Sequence, residues 1–181
     1  MQRRHFSTLA AASLGLGLTR LADAQGGTPV AGQDYKPVAT PGNPTAPAGT
    51  VDVVEFFSYA CPHCFEFEPT LESWLKKKPA GIHFHRLPVH FLQNYTNFQP
   101  MYFALEAMDV VDAKRFMSLF GSFGVRTKVQ QANQLMEAYG VDGVPTIVVG
   151  GQFMTSPSLA KGEERTTQVV EFLAAKLRGG H

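Results

Sequence analysis

A short apolar run, Val51-Asp52-Val53-Val54-Glu55-Phe56-Phe57, is followed three residues later by Cys61-Pro62-His63-Cys64. The run is rich in β-branched and aromatic residues, which suits a strand buried on both faces, with Glu55 as its misfit. Beyond the cysteines, Phe67, Leu71, Trp74 and Leu75 fall at i, i+4, i+7 and i+8, and Pro79 and Gly81 end that helical pattern. Pro69 lies inside it, where a kink is expected. The cysteine pair therefore stands at the junction of a buried strand and a helix. A strand so placed needs helices covering the sheet it belongs to.

The rest of the chain supplies them. Ile82 to Val89 reads as a second strand. Three helical patterns follow, carried by Phe98, Met101, Tyr102, Leu105 and Met108, by Ala113, Phe116, Met117 and Phe120, and by Val129, Ala132, Leu135 and Met136. Gly121 and Gly124 punctuate the boundary before the third, and Gly140 suits the residue just past its end. Thr146 to Val149 reads as a strand, and Gly150-Gly151 as a hairpin turn into Gln152-Phe153-Met154. Val170, Leu173, Ala174 and Leu177 mark a terminal amphipathic helix. The order β-α-β, a helical block, then β-β-α places the chain in the α/β class.

Composition limits the alternatives. With 181 residues, 44% of them hydrophobic, the chain can bury one sizeable core and is not wholly disordered. A formal net charge of +1 and no basic block beyond Lys76-Lys77-Lys78 argue against binding nucleic acid by phosphate neutralisation. The longest strongly apolar stretch, Leu9 to Leu18, is half of what a membrane span needs.

Residues 1–24 read as an export signal. Arg3 and Arg4 form a positive start, Leu9 to Leu18 an apolar middle, and Ala22-Asp23-Ala24 a cleavage site before Gln25. Arg3-Arg4-His5-Phe6 fits a twin-arginine route, although Ser7 departs from that pattern, and the general secretory route stays open. Residues 25–50, with Pro29, Pro37, Pro41, Pro44 and Pro47, read as an extended, poorly packed leader that touches a sheet edge near Tyr35 to Val38. Residues 51–181 form the domain itself, with the helical block at about 91–140. Export implies an oxidising compartment, where disulfides persist.

At a helix N-terminus the first backbone N–H groups lack partners and the macrodipole is positive, so a thiolate at Cys61 is favoured. Pro62 suits the first helical turn, where its missing N–H costs nothing. A protonated His63 adds a second positive source. Cys64, one turn along, can attack a mixed disulfide formed at Cys61. Holding the Cys61 thiol about three units below neutrality would stabilise the dithiol by about 4 kcal/mol, on the order of 90 mV in a two-electron couple. A dithiol stabilised in this way gives its disulfide away, so the site reads as an oxidant of other proteins' thiols.

A lone CxxC is a weak signal, and other readings compete. A zinc site would have to recruit two of His63, His83, His85 and His90; no second CxxC or close His pair completes a tetrahedron, and no metal is expected. A purely structural bridge closing so short a loop would gain little. Gly143-Val144-Pro145-Thr146, just before a buried strand, reads by itself as an ordinary loop proline.

Taken together, Glu-Phe-Phe-Ser-Tyr-x-Cys-Pro-His-Cys at 55–64 and Gly-Val-Pro-Thr at 143–146 resemble the DsbA family of periplasmic disulfide oxidoreductases, across residues 51–181. The resemblance implies a thioredoxin-like fold, with Cys61 as nucleophile, Cys64 as resolving thiol and His63 as thiolate stabiliser. It implies that Pro145 is a cis-proline facing the cysteines, that Val144 offers backbone hydrogen bonds to an extended substrate, and that Glu55 is a buried acid able to accept the Cys64 proton. It also implies a monomer without organic cofactor, acting on newly exported or unfolded cysteine-containing proteins and reoxidised by a quinone-linked membrane partner. One departure stands out: the block from Phe91 to Gly140 is a few dozen residues short of the family's helical insertion, with Phe116–Phe120 running almost directly into Gly121–Val125. Two rival readings are an isomerase or reductant of the same fold and a redox-inert binding or chaperone module.

Overall fold

The run at 51–57 forms the strand on which the molecule is organised. The computed structural model describes residues 27–42, 45–92, 97–108 and 113–179, so the expected export signal lies outside the described residues. Strands β1 (Lys36–Pro37), β2 (Val51–Phe57), β3 (Ile82–Pro88), β4 (Thr146–Val149) and β5 (Phe153–Thr155) make one sheet in the order β1-β5-β4-β2-β3. β2 runs parallel to β3 and antiparallel to β4, and the β4–β5 hairpin turns at Gly150 and Gly151, both with positive φ.

Every residue of β2 is buried, and its side chains alternate between two cores. Val51 and Val53 face helices α1 (Pro62–Leu75) and α6 (Glu163–Gly179), where Phe67, Leu71, Trp74, Val169 and Leu173 pack. Val54 and Phe56 face the other side and meet Met136 and Tyr139 of α4 (Phe123–Tyr139). A third cluster, with Phe103, Ala104, Val125 and Ala132, joins α4 to α2 (Phe98–Glu106), beside α3 (Ala113–Phe120). Gln99 ties this helical block to the sheet by donating to the Pro88 carbonyl and to Asn133, both at 2.7 Å. A short α5 (Pro157–Ala160) leads into α6. Among the described residues no helix is long and apolar enough to cross a membrane.

Two local expectations are corrected. The leader is not poorly packed along its whole length. Tyr35 and Val38 are buried, Tyr35 stacks edge-on against Phe153 at 5.6 Å, and Lys36–Pro37 pairs with β5. Burying an aromatic side chain outweighs the ordering of a few proline-rich residues. Gly124 does not end an element but lies in the first turn of α4, because Ser122 caps that helix by accepting from the Val125 N–H. Gly140 does end it, with φ 70° in the left-handed region. α1 runs continuously through Pro69 for 14 residues.

Candidate active site

β2 ends at Phe57, the chain turns with the Cys61 N–H donating to the Ser58 carbonyl, and α1 starts at Pro62. Cys61 is the residue before the first helical turn, in extended conformation, and its carbonyl accepts from the N–H groups of Cys64 and Phe65. Both cysteines are free thiols; Cys61 is partly exposed and Cys64 buried. Burial, reinforced by the Cys61 sulfur and the charge of Glu55 and opposed by a backbone hydrogen bond at Ser58, pushes the Cys64 thiol up to about 12. One sulfur is thus offered to partners while the other is kept protonated inside.

The loop before β4 comes up against this helix mouth. The Val144–Pro145 peptide is cis, and the Cys61 Sγ donates to the Val144 carbonyl at 3.4 Å across 83 residues of chain. The Thr146 hydroxyl closes the loop onto the Gly143 carbonyl at 2.8 Å. Cys61, Pro62, Cys64, Val144 and Pro145 are therefore brought together. His63 projects outward at the same place, its Nδ1 2.9 Å from Glu66 Oε2, so the imidazole has a carboxylate partner that the sequence reading did not include.

Beneath the cysteines lies a charged group. Glu55, 1% exposed, faces Arg86 in the β2–β3 register, and Arg86 Nε stands 2.8 Å from Glu55 Oε2 without the alignment of a hydrogen bond. The other end of the guanidinium donates to both oxygens of Glu68, on α1, at 2.8 and 3.0 Å. Burial pushes Glu55 up to about 7; Arg86 opposes the shift and the Glu68 charge adds to it. Arg86 and Glu68 are the site residues that sequence reasoning missed. The one signal available was the only Lys or Arg in the apolar strand 82–88.

Two hollows flank Cys61. One, of about 510 Å³, is lined by His63, Glu66, Val144, Pro145 and Glu163 among others. The other, of about 260 Å³, runs over Phe57, Tyr59, Phe65, Arg86 and Tyr102 and reaches both cysteines. Phe65 is 82% exposed and Tyr59 is also exposed, which gives this second hollow an apolar rim beside Cys61.

Residues 36–123 match the thioredoxin family model. The thiol:disulfide interchange protein DsbA of Burkholderia cepacia is 35% identical, over 91% of this chain and 94% of its own. The chain belongs to the DsbA family. The DsbA of Pseudomonas aeruginosa is 33% identical over 82% of this chain and 85% of its own. The crystal structure of Pseudomonas aeruginosa DsbA superposes with a TM-score of 0.77 at 32% identity, covering 83% of this chain and 95% of that one. The DsbA of Xylella fastidiosa does so at 0.75 and 26%, covering 84% and 99%. The fold is thioredoxin-like, and as a DsbA-family protein the chain is a thiol-disulfide oxidoreductase. The alignment with the Burkholderia DsbA is 199 positions long, whereas 91% of this chain is about 165 residues. Some three dozen positions of that DsbA therefore have no counterpart here, the size of the shortfall the sequence places in the helical block.

Proposed function

We propose that this oxidoreductase works as an oxidant, passing a Cys61–Cys64 disulfide to newly exported or unfolded cysteine-containing proteins. A substrate thiolate attacks the Cys61 sulfur and the Cys61–Cys64 bond breaks, with the electron pair leaving on Cys64, which takes up a proton. A second substrate thiolate then attacks the substrate sulfur of the mixed disulfide, the bond to Cys61 breaks, and Cys61 leaves as a thiolate. The substrate loses two electrons and the enzyme gains them.

One observation carries the reading: the two sulfurs have opposite environments. Cys61 lies at the positive mouth of α1, partly exposed and against the Val144 carbonyl, whereas Cys64 is buried and strongly disfavoured as an anion. Attack on Cys61 is sterically open, and the thiolate it releases lies at the positive end of the α1 dipole. Glu55, with a carboxyl near 7, is suited to exchange the Cys64 proton with solvent at neutral pH. Val144 and Pro145 supply a backbone edge for an extended peptide beside the sulfur, and His63, when protonated, adds to the positive field. In this reading residues 1–24 direct export to the periplasm and are cleaved after Ala24, and the enzyme acts as a monomer that a quinone-linked membrane protein reoxidises.

Oxidative refolding of a reduced disulfide protein tests this. The oxidised enzyme should restore activity to the substrate stoichiometrically, and Cys61→Ser should abolish the effect. Equal refolding by the Cys61→Ser variant would leave only a binding module.

A further inference from the structure

The sheet carries a second cluster of chemically capable side chains, at the end of β2 away from the cysteines. Asp52 and His83 are register partners on β2 and β3, and His85 lies two residues on, so all three leave the same face. His83 Nδ1 is 3.2 Å and His85 Nδ1 3.3 Å from Asp52 Oδ1, and one donor atom from each residue lies within 4.8 Å of the others. Metal–ligand bonds of about 2.0–2.2 Å in a tetrahedron put neighbouring donor atoms roughly 3.3–3.5 Å apart. The two histidine–carboxylate separations already match that spacing.

Three further features fit an ion. The carboxylate is buried, and a backbone N–H of Thr45 hydrogen-bonds to it, which fixes its orientation as outer partners do in metal sites. His85 Nδ1 is buried, and its contact with Asp52 at 3.3 Å lacks the alignment of a good hydrogen bond. His85 also walls a hollow of about 240 Å³, with Thr45, Glu106 and Lys128, which gives a route in. Phe57 lies five residue steps along the extended strand from Asp52, on the order of 16 Å, so the cysteines cannot share the site.

We propose that Asp52, His83 and His85 bind one divalent transition-metal ion, with the two imidazoles and the carboxylate as ligands and the remaining position open to water. Two nitrogens and an oxygen form a donor set suited to zinc and its neighbours rather than to calcium or magnesium. The ion would clamp β2 to β3 independently of the redox state of the cysteines.

The test is calorimetric titration of zinc into the full chain with the Cys61–Cys64 disulfide formed, so that no thiol is free to ligate. The expected result is saturation at one ion per chain and a melting temperature that rises with zinc concentration. His83→Ala and His85→Ala should each weaken binding by at least about tenfold, the lower range for losing even an outer partner. His90→Ala should leave it unchanged. Cobalt bound in place of zinc should show the intense visible bands of a tetrahedral site, lost in Asp52→Asn. Since Asp52 is buried, His83→Gln at the more exposed ring keeps the question open to test if Asp52→Asn does not fold. Absence of saturable binding would reduce the cluster to a His–Asp–His hydrogen-bonded group, and binding indifferent to both histidines would place the ion elsewhere. Either outcome overturns the proposal without touching the oxidoreductase reading.

Discussion

Arg86 Nε lies 2.8 Å from Glu55 Oε2 across the β2–β3 ladder, while the same guanidinium grips Glu68 of α1 with its Nη2. One cation thus serves two carboxylates under the buried sulfur, and the more deeply buried carboxylate is the one left with the larger desolvation cost.

The pH dependence of stability follows from that arrangement. Glu55 is raised from 4.5 to about 7, so between those values the folded protein holds a proton that the unfolded chain has released. Stability is therefore highest at the acid end of this window and falls as pH rises through it, by about 3 kcal/mol for a shift of this size, then levels off. Glu55→Gln should remove the fall, and at pH 8 it should be more stable than the parent by up to that amount. Urea unfolding at pH 4.5, 6 and 8 checks this; parallel profiles for both proteins would refute it.

Removing the cation should have the opposite sign. Arg86→Met leaves Glu55 and Glu68 facing each other and should cost about 3–5 kcal/mol at pH 8. The loss should shrink at pH 5, where Glu55 is protonated, and the same unfolding measurements report it.

The cysteines should react in a fixed order. With Cys61 partly exposed and Cys64 buried and raised to about 12, a limiting alkylating agent at pH 7 should label Cys61 almost alone. Peptide mapping after partial modification decides this, and comparable labelling of Cys64 would contradict the division of roles.

What could be read from the sequence was whatever one segment specifies by itself. Cys61-Pro62 at a strand-to-helix junction, Gly140 ending a helix and Gly150-Gly151 in a hairpin each depend on a few neighbouring residues. The Glu55–Arg86–Glu68 group was not legible, because it depends on β2 and β3 pairing in one register and on which face of α1 lies over them. The sheet-edge contact near Tyr35 to Val38 was legible, but the depth of its packing was not: proline-rich composition describes the local chain, whereas the aromatic contact of Tyr35 with Phe153 is made across the sheet. Glu66 stands three residues after His63 on α1, and its pairing with that imidazole depends on the helix that brings the two side chains to one face.

That last contact carries a prediction of its own. The Glu66 carboxylate bonds the His63 imidazole and places a negative charge near Cys61. Glu66→Gln should make the enzyme a stronger oxidant and His63→Pro a weaker one, by tens of millivolts in each case, about 20 mV for each kcal/mol of dithiol stability. Equilibration of both variants with a glutathione buffer reads the shift, and unchanged potentials would leave the helix mouth as the sole source of stabilisation.

The most direct measurement is the reduction potential of the Cys61–Cys64 couple itself, from the fraction of dithiol at known ratios of reduced to oxidised glutathione. A potential above about −200 mV, with the enzyme largely reduced in buffers that leave ordinary structural disulfides intact, is the predicted result. A value near about −270 mV, that of a dedicated reductant, would contradict the claim that this site exists to give its disulfide away.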